Sequence, residues 1–443
     1  KTIAGQLNEN MTPEERVAKI KEITAILTKD ATEGSHYEAF VRDFYEGNEF
    51  YLFVKETFKD IRFVGTPPQS AGKYGGDTDN WMWPRHTADF SMFRVYSGAD
   101  NKPANYDEAN RPYTPKHHLP VSIKGVKEND YAMILGFPGS TDRYLSSWGV
   151  NQAVSLEQPK RVEVRRKKLD IMKSYMNDDV AVRLKYSSKY AQVANYWKYF
   201  IGQTEQVKNN GVIGKKQAEE LKFAEFAVGK PMYEHALGMI EDAYAAQKEN
   251  VYIKAYQSEM VYSVDLMLWA FRYKFLMNPL KQGNSEMASN IAGRLRKIGN
   301  ENFYKLNMDL EMETIGELLK MYIKDVPKSQ QSEMVKKLRF IKNWKVNKLM
   351  KSIKKTSIFT NKERFDAFHL APSEIVLEND PLYKLAMALD EAFGKSQDGQ
   401  SIRTAEANLA NAERLYVKGL REMMPEKQFY PNIKTAERMT FDN

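Results

Sequence analysis

The sequence predicts an α+β protein: a β-rich domain interrupted by a large, wholly helical insertion. Three observations predict it. Short β-type runs separated by Gly, Pro, Asn and Asp cluster between about residues 61 and 150. Helical periodicity then fills 151–427, and the closing "FYPNIKTAERMTFDN" turns extended again. At 443 residues the chain is too long for one compact core, and two or three domains are expected. The boundaries drawn are 1–150 (with a helical excursion at 11–33), 151–427 and 428–443.

The first element is a helix over 11–31. Thr12 is a natural N-cap, Pro13 suits the first helical position and Glu15 completes a capping box. Val17, Ile20, Ile23 and Leu27 recur at helical spacing, and Gly34 ends the element. Residues 37–60 mix aromatic and acidic side chains, with "EFYLFVKE" the best strand candidate. "IRFVG", "DFSMFRVY", "HLPVSIK" and "YAMILGFPG" follow as expected strands of a small barrel or sandwich.

Farther on, Leu169, Met172, Met176 and Val180 fall on one helical stripe. Tyr186, Tyr190, Val193, Trp197 and Phe200 fall on another. These stripes are expected to be helical core. Breaks at "NNGVIG", "MNPLKQGN", "DVPKSQQ" and "HLAPSE" divide the region into long helices, and no repeat of 30–45 residues recurs.

Composition removes several function classes. Hydrophobic content of 42% and charged content of 28% are ordinary for a globular protein. No run of eighteen apolar residues occurs, so no membrane-spanning helix is expected. There is no cysteine, hence no disulfide, thiolate nucleophile or thiolate metal site. The chain begins at Lys1 without an initiator Met or signal segment, which suggests a removed leader or a piece of something longer. The net charge of +8 is modest for this length, and no nucleic-acid partner is expected from it.

Other motifs reduce to structural roles. The six histidines lack H-E-x-x-H spacing, and adjacent His117 and His118 would face opposite sides of a strand; no metal is expected. "GFPGSTDR" lacks both phosphate-loop patterns and reads as a tight turn. "GNSEM" lacks the glycine of a nucleophile elbow, so Ser285 reads as a helix cap. The stretch 336–355 carries nine Lys or Arg and no acid. It is expected to be a solvated helix face over Leu338, Ile341 and Leu349. The rival assignment makes the protein a non-catalytic helical interaction or peptide-binding module that offers this basic helix to an anionic partner.

That leaves "GGDTDNWMWPRHTADF", residues 75–90, too polar for a core and dense in aromatic and hydrogen-bonding groups. Asn80 supplies a carbonyl able to accept from a charged amine. Trp81 and Trp83 can wall a pocket, and Asp89, opening a strand, can orient a neighbouring imidazole.

This segment resembles the bacterial serine dipeptidyl-peptidase family that includes dipeptidyl peptidases 7 and 11. It matches that family's stretch at every position except Ala88, where the family commonly has glycine. The likeness continues through "FRVYSGADNKPANY", "PYTPKHHLPVSIKGVKENDYAMILGFPGSTDRY", "KYSSKYAQVANYWKYFIG" and "FYPNIKTAERMTF", and so over nearly the whole chain. The resemblance implies part of a chymotrypsin-like double β-barrel with a large inserted all-α cap domain. It implies release of dipeptides from free peptide N-termini by a Ser-His-Asp triad, with Asp89 the triad acid and Asn80 and Trp81 holding the substrate's α-amino group. It implies no cofactor, a periplasmic or cell-surface location, oligopeptide partners with a free N-terminus, and room for a homodimer. The family's T-N-x-H-C-like and G-N-S-G-S-P motifs do not occur between Lys1 and Asn443. The chain is therefore expected to be the central part of a peptidase, carrying the triad Asp alone and inactive by itself. His86 belongs to the Asp89 motif and is not the triad base.

Overall fold

A computed structural model describes residues 2–9, 11–76, 80–82, 84, 86–133, 139–338, 344–394 and 402–432. The chain divides into two compact units. One comprises Lys1–Ser146, Ala218–Ile240 and Ala407–Asn443; the other comprises Ser147–Gln217 and Glu241–Glu406. The segments 218–240 and 407–427 thus belong with the β-rich unit rather than with the helical one.

The first unit opens with the Pro13–Thr32 helix. Its capping box is present: the Thr12 hydroxyl accepts the Glu15 N–H at 3.2 Å, and Glu15 Oε2 accepts the Thr12 N–H at 2.9 Å. Gly34 follows at φ +67°. Strands β1 (Glu38–Phe44) and β2 (Glu49–Lys55) pair antiparallel from Glu38↔Lys55 to Phe44↔Glu49. Strands β3 (Asp60–Gly65), β4 (Met92–Ser97) and β5 (Arg111–Pro112) form a second antiparallel sheet in the order β3-β4-β5.

Between β1 and β2 the chain turns through Tyr45, Glu46 and Gly47, all at positive φ. Two non-glycine residues in the left-handed region carry a conformational cost, met by dense anchoring. Tyr45 Oη donates to the Phe429 carbonyl at 3.2 Å, and the Arg421 guanidinium lies 4.1 Å above the Tyr45 ring. Asn432 Nδ2 donates to Glu46 Oε1 at 2.7 Å, and Asn48 Nδ2 to the Arg414 carbonyl at 2.8 Å. Residues 429–432 are therefore laid against the β1–β2 turn. Beside them, Phe223 meets Tyr416 edge-on at 4.9 Å. The Gly419 backbone passes so close that a Cβ there would sit 2.6 Å from Phe223 Cε2.

Among the described residues these two sheets do not close into a barrel. "EFYLFVKE" and "IRFVG" are strands, but "HLPVSIK" is not, and the first three residues of "YAMILGFPG" are unpaired coil; its 134–138 lie outside the described residues. Within 37–60 the structure holds a second strand, β1, beside the one that the sequence predicts at "EFYLFVKE". Alternation alone did not make a strand at 118–124, where Val121 and Ile123 are 89% and 97% exposed. β-propensity expresses packing on a neighbouring strand and layer, and without them it has nothing to act on.

The second unit is helical. Helices Gln158–Asp178 and Val180–Asn209 meet at Asp179, whose carboxylate caps the second by accepting the Ala181 N–H at 2.7 Å. Leu169, Met172, Tyr186 and Val193 are buried together, with Met176, Tyr190 and Trp197 packed against them. Val180 is exposed, because the helix restarts there and shifts its face. A larger core surrounds Trp269, which is met edge-on by Phe303, Phe359 and Phe365 at 5.1–5.3 Å.

Within this unit the Glu259 carboxylate is fully buried. It is ringed by Arg165 Nε at 2.8 Å, Lys168 Nζ at 3.1 Å and Arg161 Nε at 3.3 Å. Asn284, not Ser285, caps the Ser285–Lys305 helix: its Oδ1 accepts the Met287 N–H at 3.0 Å, and Ser285 is the first helical residue. The basic stretch 336–355 is not one described helix. It comprises the end of Glu333–Leu338 and most of Trp344–Thr356, with 339–343 (Ile341 among them) outside the described residues. Val346 and Ile353 are buried, Leu338 and Leu349 pack on the main core, and Lys354 pairs with Asp309. The described part is thus a solvated face over a packed one.

Candidate functional site

The 75–90 segment bridges β3 and β4. Cross-strand pairing runs from Asp60↔Tyr96 to Phe63↔Phe93, bulges, and ends at Gly65↔Met92. Pro67 and Pro68 follow. They have no N–H to donate, so the ladder stops there. Pro68 starts the short Gln69–Gly72 helix, accepting the Ala71 and Gly72 N–H groups at 2.9 Å each. The chain then turns at Gly75 and Gly76, φ +79° and +53°, a region glycine enters without a Cβ penalty.

The returning strand-side residues are stitched back onto this outgoing arm. Thr87 Oγ1 donates to the Tyr74 carbonyl at 2.9 Å, and the Ala88 N–H to the Ala71 carbonyl at 3.1 Å. Thr66 Oγ1 donates to the Phe90 carbonyl at 2.9 Å. Asp89 is bracketed by the last two of these bonds. Its backbone is fixed by side-chain and helix-end contacts while its carboxylate stays exposed.

Asp89 does not open β4, as the alternation suggested; the strand begins three residues later at Met92. The proline pair explains the difference, since opposite Asp89 there is no donor with which to continue the ladder. Asn80 is half-buried in a turn, and Trp81 is exposed with φ +64°. For a bulky side chain that φ is an outlier costing roughly 1–3 kcal/mol. Trp81 is therefore not buried as a pocket wall within this chain, while Trp83 and residues 77–79 lie outside the described residues. His86 is exposed, and the His117 and His118 rings lie in exposed coil with centroids 6.5 Å apart. Among the described residues no group of three or more His, Asp or Glu side chains is disposed to hold a metal ion.

The base of the arm is anchored electrostatically. Arg62 on β3 forks onto buried Asp60, Nε–Oδ1 at 3.0 Å and Nη2–Oδ2 at 2.9 Å, and lies 3.7 Å over the Tyr96 ring of β4. Asn110 Nδ2 donates to the same carboxylate at 2.9 Å. Hydrogen bonds from Arg62, then from Asn110, pull the Asp60 carboxyl down to about 2. Sequence reading did not find this cluster, nor the roles of Thr66, Ala71 and Thr87. Their function is positional, and the only sequence signal was a threonine directly before a proline pair.

The Peptidase S46 profile matches residues 1–443. The chain belongs to the Peptidase S46 family. Dipeptidyl-peptidase 7 of Capnocytophaga gingivalis is 35% identical over 98% of this chain and 61% of its own length. The Asp/Glu-specific dipeptidyl-peptidase of the same organism is 32% identical over 98% and 61%. Among solved structures, Porphyromonas endodontalis DPP11 in complex with the dipeptide Arg-Glu superposes with a TM-score of 0.80 at 26% identity, covering 97% of this chain and 62% of that one. This S46 chain thus spans about three-fifths of the length of the curated relatives it matches.

Proposed function

We propose that this S46 chain is part of a serine dipeptidyl peptidase that releases dipeptides from the free N-termini of oligopeptides, and that Asp89 is the acid of its Ser-His-Asp triad. The observation that carries the proposal is the pinned, solvent-facing Asp89 within a segment that matches the family at all but one position. In acyl transfer the histidine takes the serine proton. The aspartate holds the imidazole in the right tautomer and stabilises the imidazolium, and backbone amides stabilise the oxyanion. An aspartate serves only if its backbone does not wander, and the bonds at Ala88 and Phe90 supply that constraint. Ala88 replaces the family's glycine at an exposed position, which supports an unaltered role.

Asn80 and Trp81 serve, on this reading, as part of the site for the substrate's α-ammonium group. The strained φ of Trp81 supports a functional placement, since such strain persists where surrounding structure imposes it. Capture of the amine two residues from the nucleophile sets the length of the released product. The sheets β1–β5 are then part of a chymotrypsin-like double β-barrel and the helical unit its inserted cap. The location proposed is periplasmic or cell-surface. Neither T-N-x-H-C nor G-N-S-G-S-P occurs within residues 1–443, so this stretch is assigned neither the base nor the nucleophile.

The test is Asp89→Asn in the complete enzyme. It should lower kcat by about 10³–10⁴-fold with an unchanged circular dichroism spectrum, and unaltered turnover would overturn the assignment. Residues 1–443 produced by themselves should release no dipeptide; release by that polypeptide would overturn the division of the triad.

A further inference from the structure

The helical unit contains a cavity of about 490 Å³ that the peptidase reading does not use. It lies along the first half of the Ser285–Lys305 helix. Ala288, Ala292 and Gly293 are small enough to leave the space open, half-buried Leu280 adds an apolar wall, and exposed Leu370 stands at its mouth. The cavity's polar side chains are Asn284, Ser285 and Ser289, which are neutral, and Arg296 and His369; Arg296 lies at the exposed rim and His369 is half-buried.

The histidine is held in one state. Its ring is braced by Phe365 at 4.5 Å and Phe368 at 5.3 Å, and its Nε2 lies 2.8 Å from the hydroxyl of fully buried Tyr273. Burial raises the Tyr273 phenol, so its proton stays on oxygen and is donated to Nε2. Burial, and then the neighbouring Arg296 charge, push His369 down to about 4. The neutral ring therefore carries its proton on Nδ1, and among the described residues nothing accepts it. Arg296 likewise has no acidic partner among the described residues. Asp366, one turn before His369, pairs its Oδ2 with Lys362 and keeps a buried Oδ1 without a hydrogen-bond partner among the described residues; its charge opposes that of Arg296 at the ring, and it does not line the cavity. The guanidinium and the fixed imidazole N–H leave positive charge and donors in excess, because among the described residues no carboxylate lines the cavity and its other polar side chains, Asn284, Ser285 and Ser289, are neutral. That is the complement of a carboxylate attached to an apolar body.

We infer that this cavity is a binding site for a small organic monocarboxylate with an apolar chain or ring, held by Arg296 and His369. The volume falls in the range of ordinary ligand pockets and admits a medium-chain acid.

The probe is octanoate, titrated calorimetrically into the full protein at pH 7, with the isosteric neutral octanamide as the comparison. Octanoate should bind saturably and octanamide at least about tenfold more weakly, the factor expected for one charge-assisted pair. Arg296→Met should lower octanoate affinity by a similar factor. Gly293→Leu should abolish binding by filling the cavity. A Cβ at that position meets nothing within 4 Å, so the variant should remain folded. Failure of octanoate to bind, equal binding of octanamide, or retained affinity in either variant would overturn the inference.

Discussion

The hydroxyl of Thr66, the last residue before a proline pair, donates to the carbonyl of Phe90 at 2.9 Å, where a backbone N–H would have served in a regular sheet. The aspartate at 89 owes its position to this substitution of a side-chain donor for a main-chain one. Thr66→Val in the complete enzyme should cost about 1 kcal/mol of stability. It should also lower kcat several-fold with little change in KM, while Thr66→Ser should restore the rate. Equal kcat in the valine and serine variants would separate Thr66 from Asp89.

Asn80 is tested by substrate choice. Asn80→Ala should raise KM for peptides with a free N-terminal amine about tenfold, the scale of one hydrogen bond to a charged group. Its effect on any residual cleavage of N-blocked peptides should be small. Equal losses for the two substrate classes would remove Asn80 from the amine site.

Asp60 should make the β3–β4 sheet sensitive to acid. Its folded value of about 2 lies below the ordinary value near 4, so its contribution is fully present above pH ~4 and is lost as pH falls toward 2. Thermal melts between pH 2 and 6 should show a steeper acid loss in the parent than in Asp60→Asn. Parallel curves would show that the Arg62 fork contributes nothing to pH dependence.

The Glu259 cluster sets three cations around one buried carboxylate. Removing the carboxylate with Glu259→Gln should cost about 3–5 kcal/mol, because the cations then face one another unpaired. Only Lys168 can shed a proton, since guanidinium groups hold theirs. Burial, with Arg165 and Lys189 opposing Glu259, pushes it down to about 8. The unfolded chain therefore binds the extra proton between pH ~8 and ~10.5, and stability should rise with pH across that window. Lys168→Met should flatten that rise in denaturant titrations, and an unchanged slope would sink the assignment.

Two glycines on one helix should behave in opposite ways. A Cβ at Gly299 would lie 2.1 Å from Phe365 Cζ, whereas one at Gly293 meets nothing within 4 Å. Gly299→Ala should destabilise by at least ~2 kcal/mol through displacement of a buried aromatic ring. Gly293→Ala should stabilise by about 0.5–1 kcal/mol through helix propensity. Melting temperatures that move together would contradict the packing around Phe365.

The sequence by itself determined whatever depends on neighbours a few residues apart. The Thr12 capping box, the stripes through Met172 and Tyr186, the breaks at Gly211 and Pro327 and the strand at β3 all follow from local spacing and turn chemistry. The sixteen-residue stretch around Asp89 pointed to the family in the same way, because its residues are contiguous. Tertiary structure alone decided what depends on partners far along the chain. Val121 and Ile123 alternate as a strand would yet pair with nothing described, and the pairing of Arg62 with Tyr96 spans the whole 75–90 loop. Phe429 and Asn432 lock a left-handed turn almost four hundred residues earlier. A sequence lists donors, charges and apolar faces, but which of them meet is fixed only when the chain is folded and each buried polar group must find a partner.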